Sequence, residues 1–185
     1  MKIFAETERL ILREILPQDE DSLFILDSDP EVHAFLGNNP IKIHQQAAEV
    51  VQFIRKQYIT NGIGRWAVID KETNTFVGWS GLKLITEETN NHIDYYDLGY
   101  RFIKKYWGNG YATETAYAAL SYAFHRLSLT EVFAITDIRN YSSKRVLEKV
   151  GFKIIETFNY QGTEHYWFKV DKDGWVKSNP AYRTI

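Results

Sequence analysis

DYYDLGYRFIKKYWGNGYATE, residues 94–114, is the stretch whose reading decides the fold. Asp94 to Ile103 is crowded with aromatic and aliphatic residues and reads as a strand. Trp107-Gly108-Asn109-Gly110 forms a turn, and from about Tyr111 to Leu127 the residues Ala112, Ala116, Ala119, Leu120, Ala123 and Phe124 recur at helical spacing. Strand, glycine turn, helix is the central unit. Glycine lets backbone N–H groups converge on a ligand, and the start of a helix adds unpaired donors and a positive dipole end, so this turn has the makings of a diphosphate cradle. Glycine is equally what the backbone angles of a sharp strand-to-helix turn require, and the pattern alone leaves both readings open. Two rival phosphate loops fail on the letters. A nucleoside-triphosphate loop needs Gly-Lys-Ser/Thr at its close, and a dinucleotide fingerprint needs a third glycine where Thr113 stands.

Outward from this unit, the chain alternates strand and helix signals. Glu8 to Glu14 reads as a first strand, and Asp19 to Phe35 as two short helices divided by Asp29-Pro30. His44 to Tyr58 has Ala47, Val50, Val51, Ile54 and Tyr58 along one side, the pattern of an amphipathic helix laid on a sheet. Arg65 to Asp70 and Phe76 to Ile85 read as a hairpin, in which Gly78 and Gly81 mark a bulge or a close contact. Beyond the central unit follow a strand from Glu131 to Asp137, a short helix from Ser142 to Val150, and strands from Phe152 to Phe158 and Tyr166 to Val170. The segment after Asp171 is expected to be loose. With no repeat or linker, the order predicts one α/β (α+β) domain around a mixed, mostly antiparallel sheet of about six to seven strands flanked by helices.

The bulk numbers bound the function. A chain of 185 residues can bury one substantial core, and a composition 44% hydrophobic and 25% charged is that of a globular protein. A net charge of −2 offers no general attraction for phosphate backbones, so nucleic acid is not expected as a partner. The sequence has no cysteine, which excludes disulfides, thiolate nucleophiles and cysteine-held metals and suits a reducing compartment. Neither a cleavable leader nor a run long enough to span a membrane is evident, and the expected location is the cytoplasm. The five histidines are scattered without ligand spacing, so no metal is expected.

A second segment carries chemistry: Asp137-Ile138-Arg139-Asn140-Tyr141-Ser142-Ser143-Lys144-Arg145-Val146-Leu147-Glu148-Lys149-Val150-Gly151-Phe152. Asn140 closes the loop after a strand, where it can cap the next helix or contact a ligand. Arg139, Lys144, Arg145 and Lys149 surround it with positive charge that suits phosphates, or simply form a solvated helix face.

Taken in order, DYYDLGYRFI, KKYWGNGYATE and NYSSKRVLEKVGF resemble the acetyl-CoA-binding core of the GNAT superfamily of N-acetyltransferases. They are similar above all to its branch of Rim-type ribosomal-protein N-acetyltransferases, which the opening ETERLILRE, Glu6 to Glu14, also resembles. The resemblance implies a domain over residues 6–172 with a tail at 173–185, and a groove where strands splay to admit acetyl-CoA as co-substrate. It places the pyrophosphate on the backbone of Trp107, Gly108, Asn109, Gly110, Tyr111, Ala112 and Thr113, and the pantetheine arm along Gly99, Tyr100, Arg101 and Phe102. Asn140 and Ser143 would contact the same arm. Lys105 stands where the superfamily motif usually has Gln or Arg, a conservative departure.

Direct acetyl transfer to an amine needs a neutral nitrogen, donors for the oxyanion and a proton for the departing sulfur. Many members supply that proton from a tyrosine seven residues after the asparagine, where this chain has Leu147. Ser143, three residues after Asn140, resembles the Rim-type substitute, and its plain alternative is a hydroxyl on a helix face. For the base, Asp97 is the first choice, in the strand position where that branch often has Glu; Glu114, Glu164 and His165 are the other candidates. Each acid has the alternative of a local salt bridge. The resemblance implies a primary amine acceptor, first a protein N-terminus and then a polyamine or aminoglycoside. A catalytically weak CoA-binding module is the other reading, and the assembly is a monomer or homodimer.

Overall fold

The computed structural model describes residues 1–182. Its sheet has eight strands: β1 (Ile3–Glu6), β2 (Leu10–Glu14), β3 (Trp66–Asp70), β4 (Thr75–Ile85), β5 (Tyr95–Phe102), β6 (Glu131–Asp137), β7 (Lys153–Tyr160) and β8 (Thr163–Asp171). They lie in the order β1-β2-β3-β4-β5-β6-β8-β7. Every neighbouring pair is antiparallel except β5 and β6. The eighth strand beyond the six to seven expected is β1. The anticipated first strand is half of a hairpin, closed where the Thr7 amide bonds Leu10 O at 2.9 Å.

Five helices flank the sheet: α1 (Glu20–Asp27), α2 (His44–Thr60), α3 (Tyr111–Ser121), α4 (Tyr141–Lys149) and α5 (Lys172–Ser178). The expected second helix is replaced by turns over residues 30–38, and Pro30 accounts for the break at Asp29. Of the segment expected to be loose, residues 172–182 are ordered by packing, and residues 183–185 lie outside those described. Lys172–Ser178 form α5, whose Trp175 is 2% exposed and donates Nε1–H to Val150 O at 3.0 Å.

Strand alternation explains the two cores. In β3, Trp66 and Val68 join the cluster under α3, with Ala116, Ala119 and Leu120. Ala67 and Ile69 point to the other face, against Leu23 and Leu26 of α1 and Ala47, Val51 and Ile54 of α2. A strand buried on both faces loses the polar alternation of a half-exposed one, which is why RWAVID reads as a continuous apolar run. The pairing of β3 with β4 slips by one residue beside Gly78, and a Cβ on Gly78 would lie 2.3 Å from Arg101 O. That glycine is therefore both a bulge position and a close contact.

The feature that positions the site is the meeting of β5 and β6. These parallel strands, connected through α3, share a single register pair, Asp97 with Phe133. Past Asp97 they part, and β5 keeps full pairing only on its β4 side, from Ile85 with Tyr95 to Gly78 with Phe102.

Candidate active site

The parting of β5 and β6 opens into a cavity of about 680 Å³. Tyr100 of β5 and Asn140, Ser143 and Leu147 at the start of α4 line one part of it. Arg65, Trp79, Asp97, Arg101 and His165 line another. One continuous space thus joins Asp97, Gly99, Tyr100, Arg101, Asn140 and Ser143, whereas Phe102 and the turn from Trp107 to Thr113 do not line it.

Beyond the outer end of β5 lies the glycine turn. Gly108 and Gly110 both have φ of +79°, in the left-handed region that glycine adopts without strain. Nothing lies within 4 Å of a Cβ placed on Gly108, so the approach is open. Gly110 is the N-cap of α3 and brings no side-chain cap, which leaves the first amides of the helix without partners from the cap. Trp107, 48% exposed, donates Nε1–H to Phe102 O at 2.8 Å, which ties the turn to β5 and occupies one carbonyl of the stretch expected to pair with pantetheine.

Asn140 does cap α4: its Oδ1 accepts from the Ser143 amide at 3.1 Å. That bond uses only the carbonyl oxygen of the side chain, and the residue also lines the cavity. Ser143 is not a free hydroxyl on a helix face. Its Oγ and its backbone oxygen are each 3.1 Å from the Tyr100 hydroxyl. Burial pushes the Tyr100 phenol up from its ordinary value, with the Ser143 hydrogen bond opposing, so the phenol stays protonated. Leu147, 1% exposed, packs in the core and has no proton to give.

The other part of the cavity wall is a chain of charges around an indole. Asp97 is 8% exposed, and its carboxylate is paired with Arg65 Nη2. Arg65 Nη1 also donates to Gly81 O at 2.6 Å and Asp97 O at 2.7 Å. Burial raises the Asp97 carboxyl from its usual range, and Arg65 pulls it back. Arg101 pairs with Asp27 of α1 at 2.6 Å. The guanidinium carbons of Arg65 and Arg101 lie 5.5 and 5.1 Å from the Trp79 ring centre. His165 faces Asp137 across β6 and β8. Asp137 is held below the usual carboxylate range, first by its hydrogen bonds from the Arg139 side chain. Arg139 is engaged with Asp137 through Nε at 2.9 Å and Nη2 at 2.5 Å.

Of the four candidate bases, Asp97 and His165 line the cavity. Glu114 lies elsewhere, accepting from Thr7 Oγ1 at 2.5 Å and from Arg9 Nε at 2.8 Å and Nη2 at 2.5 Å. Glu164 is exposed beyond the cavity wall. Sequence reasoning missed Arg65 and the contact of the Tyr100 hydroxyl with Ser143. The one signal for Arg65 was Gly99: a Cβ there would sit 2.7 Å from Arg65 Nη2, so the missing side chain makes the seat for the guanidinium.

Open glycine amides at one end and an unpaired strand margin beside Asn140 at the other fit an extended ligand with a diphosphate head. The family description "Acetyltransferase (GNAT) domain" matches residues 9–153. Among individual proteins, the chain is 29% identical to the uncharacterized N-acetyltransferase YoaA of Bacillus subtilis, covering 87% of this chain and 90% of that one. In three dimensions it is similar to ribosomal-protein-S5-alanine acetyltransferase from Vibrio fischeri, with TM-score 0.73 and 17% identity over 92% of this chain and 97% of that chain. It is also similar to spermidine N-acetyltransferase from Vibrio cholerae, solved with CoA and spermine, with TM-score 0.72 and 16% identity over 92% and 99%.

Proposed function

Because the chain belongs to the GNAT acetyltransferase family, an acyltransferase family that uses acetyl-CoA, we propose that its β5–β6 cleft transfers acetyl to a primary amine by direct attack. Bound acetyl-CoA supplies the activated acetyl thioester. The amides of Trp107 to Thr113 would hold its diphosphate, the margin of β5 from Gly99 to Phe102 its arm, and Asn140 and Ser143 the end nearest the chemistry. The observation that carries the reading is the cleft itself, in which one register pair at Asp97 precedes a parting that exposes the strand margin to a cavity.

The catalytic roles follow from what each side chain can hold. Asp97 is proposed as the acceptor of the amine proton: burial raises its affinity for a proton, and Arg65 fixes its orientation. Ser143 is proposed to hold a proton at Oγ for the leaving sulfur, with the Tyr100 hydroxyl 3.1 Å behind it as hydrogen-bond partner. This pair occupies the cavity wall that Leu147 leaves without an acid.

The acceptor class we favour is a protein N-terminal amine. The fold is shared with an enzyme named for a ribosomal protein. A small polyamine is favoured instead by Glu87, Glu88, Tyr95 and Tyr160 on the cavity wall, carboxylates and aromatics that suit ammonium groups. CoA release measured with N-terminal peptides, polyamines and aminoglycosides decides between them, with product mass showing which nitrogen is acetylated. Turnover on peptides alone supports the first reading, and turnover on polyamines alone refutes it in favour of the second. Binding of acetyl-CoA without turnover on any amine would make the chain a CoA-binding module.

A further inference from the structure

The turn between β1 and β2, Thr7-Glu8-Arg9, reaches across to the first turn of α3. Arg9 Nε and Nη2 grip Glu114 Oε2, the guanidinium lies 4.7 Å from the centre of the Tyr111 ring, and Nη2 is 3.7 Å from the point a Cβ on Gly110 would occupy. Tyr111 is fixed in turn by its hydroxyl, which donates to Asp70 Oδ2 at 2.7 Å. The Thr7 to Arg9 backbone is anchored by Lys71, whose Nζ donates to Thr7 O and whose amide donates to Arg9 O at 2.9 Å. Three separate loops therefore hold one guanidinium against the turn at Gly108 to Thr113.

Two features of this arrangement exceed what bracing requires. Glu114 sits in the fourth position of α3, where its charge would oppose an anion at the helix start, and Arg9 cancels it. The Nη1 group of Arg9 makes no hydrogen bond among the described residues, and the side chain is 46% exposed, so donors remain available at the open side of the turn. Of the lysines near this end, Lys104 pairs with Glu31 at 2.5 Å and Lys71 with Glu6 at 3.1 Å, while Lys105 lies 4.7 Å from the centre of the Tyr106 ring.

We propose that Arg9 is a cofactor-binding residue, the fixed cation that binds the diphosphate of acetyl-CoA while Glu114 holds it in place. This rests on the reading of the Gly108 to Thr113 turn as the diphosphate site. It assigns a second function to the β1–β2 hairpin, whose Arg9 lies 102 residues before Tyr111 at the start of α3, far beyond any local motif.

Calorimetric titration with CoA and with dephospho-CoA, alongside steady-state kinetics, tests it. Arg9→Gln is expected to raise the dissociation constant of both ligands about tenfold, and to raise KM for acetyl-CoA while kcat stays within about twofold. Arg9→Lys, which keeps the charge and loses the fork, should fall between the two and guards against a misfolded Gln variant. Unchanged affinity in a folded Arg9→Gln protein overturns the assignment. A loss seen with CoA and absent with dephospho-CoA also overturns it, by moving the cation to the 3′-phosphate. So does full rescue in Arg9→Gln/Glu114→Gln, because Arg9 would then only neutralise Glu114. If the wild-type protein bound no CoA at all, the function proposed above would fail instead.

Discussion

Replacing Arg65 by Gln strands a carboxylate, and the cost should depend on pH in a way that identifies which one. The side chains of Arg65 and Asp97 are 12% and 11% exposed, so little water is at hand to take over from the guanidinium. Breaking such a pair from one side costs about 3–5 kcal/mol, because a buried charge is left without its partner. The variant has an escape, which is to protonate Asp97. Burial is already the largest influence on this carboxyl and raises it; without Arg65 nothing of comparable strength opposes it. A folded-state pKa raised above the unfolded value gives stability that is complete below the unfolded value and is lost as pH rises through the folded one. The deficit of Arg65→Gln relative to the wild type should therefore grow with pH by about 1.4 kcal/mol per unit between the folded pKa of Asp97 in the wild type and its higher value in the variant. At low pH what remains is the loss of the bonds to Gly81 O and Asp97 O, about 1 kcal/mol each. Urea unfolding of the wild type, Arg65→Gln, Asp97→Asn and the double variant at pH 5, 6, 7 and 8 reads all of this. The double variant should show no added pH dependence. A deficit for Arg65→Gln that is flat across this range would refute the reasoning, since Asp97 would then not be the stranded group.

Three further outcomes are expected. Trp175→Ala should cost about 3–5 kcal/mol in chemical denaturation, because the indole is 2% exposed and bonds Val150 O, and a chain ended at Asp171 should lose at least as much. Ser143→Ala should lower kcat more than it raises KM for acetyl-CoA, and Tyr100→Phe should lower kcat less, since it removes only the hydroxyl behind the serine; equal kcat in both would remove the pair from the chemistry. Asn109→Pro with Gly110→Asp should abolish CoA binding in a folded protein, by deleting an amide, straining a residue at φ +79° and adding a negative charge at the helix start.

What the residues disclosed and what they hid divides along physical lines. The Gly108 and Gly110 turn was legible because a positive φ leaves a mark in the sequence. The alanines of α3 were legible because one apolar stripe repeats at helical spacing. The strand β1 was not, since four residues cannot display an alternation and its Phe4 and Ala5 are buried only by their neighbours. Helix α5 hid behind lysines, an aspartate and Gly174, a poor helix sequence that holds through the packing of a single tryptophan. At the site, Arg65 looked like the charged flank of a strand, because its partner lies 32 residues away and pairing at that distance follows from sheet register alone. The Tyr100 hydroxyl gained meaning once α4 was seen to bring Ser143 against it.

These two late findings lie on opposite faces of one strand. Successive residues of β5 point to opposite sides of the sheet, so Asp97, Gly99 and Arg101 share one face and Leu98, Tyr100 and Phe102 the other. Asp97 and Arg101 meet Arg65 and Asp27, on the side of α1 and α2. Tyr100 meets Ser143, with the core under α3 and α4. A proton acceptor for the amine and a proton holder for the leaving group are thus kept apart by the thickness of the sheet. They can serve the same reaction only because β6 departs from β5 after Asp97, where a reacting group can lie in the plane of the sheet between them. Had the two strands stayed paired through Phe102, the backbone groups of β5 would be satisfied by β6 and the two faces would be sealed from each other. The single register pair is therefore as much a part of the proposed chemistry as either side chain.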